Sequence, residues 1–226
     1  MIGVFDSGVG GLTAIKELRK FAPNVNICFL ADRKNAPYGT KTLKDVAEFS
    51  KANIRKLLSE GAEKVLIACC TASAAYPYLS AEERRASVPI IDFAARRAIE
   101  ISQNGRIGII ATERTVKERA FTQAIRKLSD KAEVFELQAQ LFVTLVENGV
   151  RDKALCDGDR AKIASTLAPL FDKGIDTLIL GCTHFPHIEK TVREILGVRT
   201  VNPSLEGALE ITKNVNLSED GRTIHI

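Results

Sequence analysis

Short apolar runs alternate along the chain with longer stretches in which apolar residues recur every three or four positions. Residues 1–5 read as a strand, and Leu12, Ile15, Leu18 and Phe21 follow at helical spacing. Residues 25–30 are strand-like, and Leu43, Val46, Ile54, Leu57 and Leu58 mark a long helix. Residues 64–68, 88–93 and 106–111 are brief, nearly all-apolar runs of the kind buried on both faces of a sheet. Thr115, three residues before Glu118, has the spacing of a helix capping box. Residues 132–137 predict a strand, and 139–149 and 158–173 predict helices. A strand over 176–180 follows, Pro186 suits the first turn of the next helix, and 199–201 form a last short strand before a terminal helix. Strands alternating with helices predict an α/β protein with mostly parallel sheets and helices on both faces.

The pattern carries a weak internal repeat. A strand opens each half, at Ile2 and at Ile107. Each half later has an apolar strand that runs into a small residue, a cysteine and a threonine: Ala68, Cys69 and Thr71 in the first, Gly181, Cys182 and Thr183 in the second. Two similar α/β halves with a cleft between them are expected. One comprises residues 1–93, with 202–226 returning to it; the other comprises 94–201.

The chain has 226 residues, enough for one large domain or two small ones. With 45% hydrophobic and 27% charged residues it has the make-up of a soluble globular protein. The net charge of +4 is scattered, and the few aromatics are not interleaved with a basic stripe, which argues against nucleic acid as a partner. No apolar run approaches the roughly 18 residues of a membrane span, and the N-terminal segment lacks the basic start of a signal peptide. Five cysteines, an odd number in a chain that needs no staples, fit a reduced, cytoplasmic setting.

Both Cys-Thr segments fall just past the C-terminal ends of strands, where open α/β sheets bind ligands. A lone cysteine there is usually a small buried apolar residue. Two of them, Cys69 and Cys182, in corresponding places of facing halves, suit two-base chemistry. One thiolate removes a proton from carbon and the other thiol returns one to the opposite face. An ordinary thiol pKa of about 8.5 lies near working pH, where acid–base catalysis is efficient. The turn from Asp6 to Gly11 matches neither the dinucleotide fingerprint nor a P-loop. It is either a tight turn or a backbone close to a ligand, with Asp6 and Ser7 in the cleft. The segment with Pro37, Tyr38 and Gly39 is either a plain turn or a loop offering a hydroxyl and N–H groups to an anion. His184 can handle a proton near Cys182, whereas His187 reads as a surface residue and His225 as a tail residue. No Cys-x-x-Cys exists, so no metal site is expected.

Taken together, several segments resemble the cofactor-independent aspartate/glutamate racemase superfamily, and within it the glutamate racemases. They are the run from Phe5 to Thr13, Pro37-Tyr38-Gly39, Cys69 with Thr71-Ala72-Ser73, Ile109 to Thr112 with Thr115, Leu141 to Val143 with Leu145 to Gly149, and Leu180 to Pro186. They occur in the family's order over nearly the whole chain. The resemblance implies two Rossmann-like α/β subdomains related by pseudo-two-fold symmetry, with the active site in the cleft between them. It implies catalysis without pyridoxal phosphate, metal or any other cofactor, and a homodimer. It makes Cys69 and Cys182 the acid/base pair, with Asp6 near the first and His184 and Glu147 near the second. Ser7, Pro37, Tyr38 and Gly39 would meet the amino-acid substrate, and Thr71, Thr115 and Thr183 would hold its carboxylate and amino groups. Without the family, Glu147 reads as a solvated helix charge.

The chain departs from its relatives in ways that bear on substrate. Cys70 stands where the family has asparagine, replacing an amide that can bind a carboxylate with a weak donor. A Glu-Pro-Gly tract is missing around residues 90–95, and Thr144 replaces a proline. Asp92 is either a helix N-cap or a carboxylate in the cleft, in which case it disfavours acidic substrates. Glutamate is the expected substrate, and the pathway then implied is D-glutamate supply for peptidoglycan. The alternatives are the same chemistry on a basic amino acid or aspartate, and an amino-acid-binding protein without turnover.

Overall fold

The computed structural model describes residues 1–213 and 221–226. It contains two parallel sheets. The first has the strand order β4-β3-β1-β2-β9, from β1 (Ile2–Asp6), β2 (Ile27–Ala31), β3 (Lys64–Ile67), β4 (Ser87–Pro89) and β9 (Thr223–His225). The second runs β6-β5-β7-β8, from β5 (Arg106–Ala111), β6 (Glu133–Gln138), β7 (Thr177–Gly181) and β8 (Arg199–Val201). Every pairing is parallel. Read from the other edge, the second sheet is β8-β7-β5-β6, so the halves repeat one topology, with β9 added to the first.

Burial follows the apolar runs. Every residue of β1 and of β7 is buried, whereas the edge strand β6 is half-exposed and β9 is exposed. One apolar core spans the halves: Ile2, Val4 and Leu66 of the first sheet share it with Ile107, Ile109 and Ile179 of the second. The helices Leu12–Phe21, Ile90–Ile101 and Pro203–Thr212 fill the space between. Two further cores cover the outer faces, one around Phe5, Ile54 and Ile67, the other around Ile110, Phe142 and Leu180.

Local rules set the element ends. The Thr42 side chain accepts from the Asp45 N–H to start helix Leu43–Ser59, and Ser80 with Glu83 forms a complete capping box before helix Ala81–Ala86. Three expectations need correction. The strand expected over 88–93 is only Ser87–Pro89, and helix Ile90–Ile101 begins at once. Its apolar start packs into the shared core as a helix face, not as a strand. Thr115 is no cap, because helix Glu113–Lys117 starts after Thr112 and encloses it. The helix expected over 158–173 changes to 3-10 form at Ala168–Lys173, where Pro169 lacks the N–H that an α-helix needs.

The topology fixes where ligands go. From β1 the chain moves outward to β2 and returns to place β3 on the other side of β1; β5, β6 and β7 do the same. The crevices beyond the C-terminal ends of β1/β3 and of β5/β7 are therefore topological switch points, the ligand positions of open α/β sheets.

Candidate active site

Cys69 follows β3 by two residues and is the N-cap of helix Cys70–Ala74, while Cys182 follows β7 directly. Each thus sits at the switch point of its own sheet. Both line a single cleft. Ser7, Pro37, Tyr38, Gly39, Cys70 and Thr71 reach the same cleft from the first half, and Glu147, Thr183 and His184 from the second.

Asp6 lies behind this lining, fully buried at the end of β1. Its Oδ1 accepts from the Gly8 N–H at 2.9 Å, and its Oδ2 accepts from the Thr183 hydroxyl at 3.2 Å. Burial outweighs these bonds and pushes its pKa up from 3.8 to about 6. The Gly-rich turn is thereby explained. A side chain at Gly10 would place its Cβ 2.2 Å from Thr183 Oγ1, so glycine lets the first half close on the second. Thr13 completes the seam by donating to the Thr183 carbonyl at 3.0 Å.

Burial pushes the Cys69 thiol up to about 11, and the Asp6 charge adds to this. Its Sγ–H donates to Ser7 Oγ at 3.6 Å. Burial also raises the Cys182 thiol, with Cys69 and Asp6 contributing, while the backbone N–H of His184 opposes. Since charge on one thiol raises the other, the site favours one thiolate with one thiol over two thiolates. His184 Nδ1 lies 3.6 Å from Cys182 Sγ, and Nε2 lies 3.5 Å from Glu147 Oε1. Burial and the Arg151 charge lower the His184 pKa, so the imidazole is neutral at pH 7. His184 thus stands between the buried Cys182 and the exposed Glu147 carboxylate, its Nε2 without a hydrogen-bond partner among the described residues.

Threonines join the halves beneath the cleft. Thr71 of the first lies 3.0 Å from Thr112 and 3.2 Å from Thr115 of the second, and the latter two are 3.0 Å apart. Thr71 and Thr112 reach the cleft surface; Thr115, almost fully buried, braces them from behind.

Two expected contacts take a different form. The Tyr38 hydroxyl is engaged within the protein: it donates to Asp32 Oδ2 at 2.5 Å and accepts from Asn53 Nδ2 at 3.0 Å. The loop therefore offers the cleft its other atoms. Asp92 lies outside the cleft, in the first turn of helix Ile90–Ile101, beside a separate depression with Tyr76, Gln123 and Lys127. It is not the N-cap either, since Pro89 holds that position. A strand over 88–93 would have carried Asp92 to the sheet's C-terminal edge; the early helix turns it aside.

Thr112, Gln140 and Val143, none of them an expected site residue, also line the cleft. Thr112 had a signal, being the residue after β5 at a switch point. Gln140 and Val143 had none, because nothing in the helical period of residues 139–149 marks the face that meets a cleft. Among the described residues, no group of three or more His, Cys, Asp or Glu side chains is placed to hold a metal ion, and no helix is long and apolar enough to cross a membrane.

Residues 13–210 match the family model described as Asp/Glu/hydantoin racemase. A glutamate racemase from Desulforudis audaxviator is 37% identical over 203 residues, covering 88% of this chain and 72% of that protein. One from Geobacter metallireducens is 36% identical over 212 residues, covering 92% and 77%. Among solved structures, glutamate racemase from Francisella tularensis in complex with D-glutamate superposes with a TM-score of 0.89 at 30% identity, covering 99% of this chain and 86% of that one. An isoform from Bacillus anthracis gives 0.88 at 31%, covering 100% and 86%.

Proposed function

The chain belongs to the Asp/Glu/hydantoin racemase family, and we propose that it interconverts L- and D-glutamate by removing a proton from one face of Cα and returning another to the opposite face. The observation that carries this reading is the placement of Cys69 and Cys182 at the two switch points, lining one cleft from opposite halves.

The chemistry follows from the surroundings of the two thiols. Burial favours the protonated form of both. A substrate ammonium beside Cα brings a positive charge, which favours a thiolate next to it. The proton released by Cys69 passes to Asp6, whose pKa of about 6 leaves it a carboxylate at neutral pH. The proton released by Cys182 passes to neutral His184 and on toward Glu147. The thiolate takes the Cα proton, the electron pair stays on the substrate as a carbanion, and the opposite thiol supplies a proton to the other face. Turnover leaves the former base as a thiol and the former acid as a thiolate, the state needed for the reverse reaction. By family analogy Cys69 serves the D enantiomer and Cys182 the L enantiomer.

Glutamate is favoured over a basic amino acid because Asp92, the carboxylate that would attract a basic side chain, lies outside the cleft. Chiral chromatography after incubation with L-glutamate, L-aspartate and L-lysine, each without added cofactor, tests the reading. It expects conversion of glutamate to a one-to-one mixture, unchanged by added pyridoxal phosphate or zinc. Turnover of lysine or aspartate in place of glutamate contradicts it.

We also read residues 1–93 with 202–226 as one subdomain and 94–201 as the other. The pairing of β9 with β2 supports this, although 214–220 lie outside the described residues. The family resemblance further supports a cytoplasmic homodimer that supplies D-glutamate for peptidoglycan.

A further inference from the structure

We propose that Gln140 is a substrate-binding residue, its carboxamide donating to a substrate carboxylate and doing in this chain what the family's asparagine does at the position of Cys70. The inference rests on the glutamate reading above. It begins from the donors present in the cleft. The Tyr38 hydroxyl gives its proton to Asp32, and the Thr183 hydroxyl gives its proton to Asp6. Thr71, Thr112 and Thr115 close on one another, so three hydroxyl protons serve three mutual bonds. Cys70 is buried and belongs to the apolar core shared by the halves, where a thiol is a weak donor. Among these side chains the Ser7 hydroxyl, which accepts from Cys69, keeps a proton to give, so an anionic substrate entering this cleft meets few other side-chain donors.

Gln140 opens helix Gln140–Glu147 and lines the cleft. Its Oε1 is buried without a hydrogen-bond partner among the described residues. It sits beside Gly39, where an added Cβ would come within 3.4 Å of it. A buried polar atom without a partner is uncommon in a native fold and needs an explanation. A ligand provides one. As placed the oxygen can only accept, but the carboxamide oxygen and nitrogen are interchangeable by a half-turn of the terminal torsion, and in that orientation NH₂ is presented to a carboxylate. The two departures then explain each other, the amide lost at position 70 being replaced from the facing half of the cleft.

Gln140→Leu and Gln140→Glu test this, with KM and kcat for glutamate measured separately beside wild type. A hydrogen bond to a charged group is worth roughly a tenfold to hundredfold change in affinity. Gln140→Leu is expected to raise KM for glutamate by that amount, with a much smaller change in kcat. Gln140→Glu keeps the shape but replaces the donors with a negative charge, so it is expected to lose at least as much at pH 8. Its deficit relative to wild type should shrink toward pH 5, as the new carboxyl gains a proton. Gln140→Glu working like wild type at pH 8 would show that only volume matters and overturn the proposal. So would an unchanged KM in Gln140→Leu. Wild-type turnover of glutamate is read in the same assay, so failure of the glutamate reading shows there and failure of the Gln140 assignment shows only in the variants.

Discussion

The Thr183 hydroxyl donates to Asp6 Oδ2 at 3.2 Å, tying the residue after Cys182 in one half to the carboxylate beside Cys69 in the other. The surroundings of the two thiols are thus joined by a hydrogen bond across the halves. Asp6 has a cost attached to its place. Its pKa is raised, so its contribution to stability is fully present below the ordinary value of 3.8 and is lost as pH rises to about 6. Above that the buried charge costs about 3 kcal/mol. Asp6→Asn removes the charge while keeping an oxygen for the Gly8 N–H. Thermal denaturation should show the variant gaining on wild type between pH 4 and 6 and staying ahead above, while racemisation falls. A stability difference independent of pH would contradict the buried charge.

Gly10→Ala tests the seam between the halves. The new methyl meets Thr183 Oγ1 at 2.2 Å and its Cβ at 3.0 Å. Forcing a methyl into a packed site costs about 1–3 kcal/mol. The expected result is a lower melting temperature and lower activity, the melting temperature partly restored by adding Thr183→Ala, which removes the nearer atom. Equal losses with and without the second change would place the strain elsewhere.

His184 and Glu147 should differ in weight. His184 lies next to Cys182 and is mostly buried, whereas Glu147 is largely exposed and reaches only the far side of the imidazole. General acid–base groups contribute about 10²–10⁴-fold. His184→Gln should lower kcat into that range, and Glu147→Gln by about tenfold or less. Initial rates from each enantiomer measure both; an equal loss in the two variants would argue against a chain ordered from Cys182 outward.

Asp92→Asn is expected to leave the ranking of glutamate, aspartate and lysine by kcat/KM unchanged, because Asp92 lines a different depression. In the first turn of its helix the carboxylate favours the exposed N–H groups by about 0.3–1 kcal/mol, so a small loss of stability is the only effect expected. A reordered ranking would bring Asp92 back to the substrate.

Where sequence and structure agree, the cause is periodicity. The runs at β1, β3, β5 and β7 are apolar but for one residue at an end of each because both faces are covered, and those strands set the switch points that hold Cys69 and Cys182. The β9 strand left no such trace, being three exposed residues at an edge. Helix Ile90–Ile101 was misread at its start because Ile90 and Ile91 suit a buried strand and a buried helix turn alike. The orientation of the Tyr38 hydroxyl depends on Asp32 and Asn53, which only the fold brings near it. Gln140 was silent because nothing in the helical period of residues 139–149 marks the face that meets a cleft.

The account stands most directly on a proton count. L-Glutamate incubated in D₂O with wild type should lose its Cα–H signal in the NMR spectrum as D-glutamate forms, because the proton removed by one thiol is not the one returned by the other. The same experiment with Cys69→Ser and with Cys182→Ser should give no D-glutamate, since a serine hydroxyl is far too weak an acid to replace a thiol. D-Glutamate that retains its original Cα proton, or full racemisation by either variant, would contradict the two-thiol assignment.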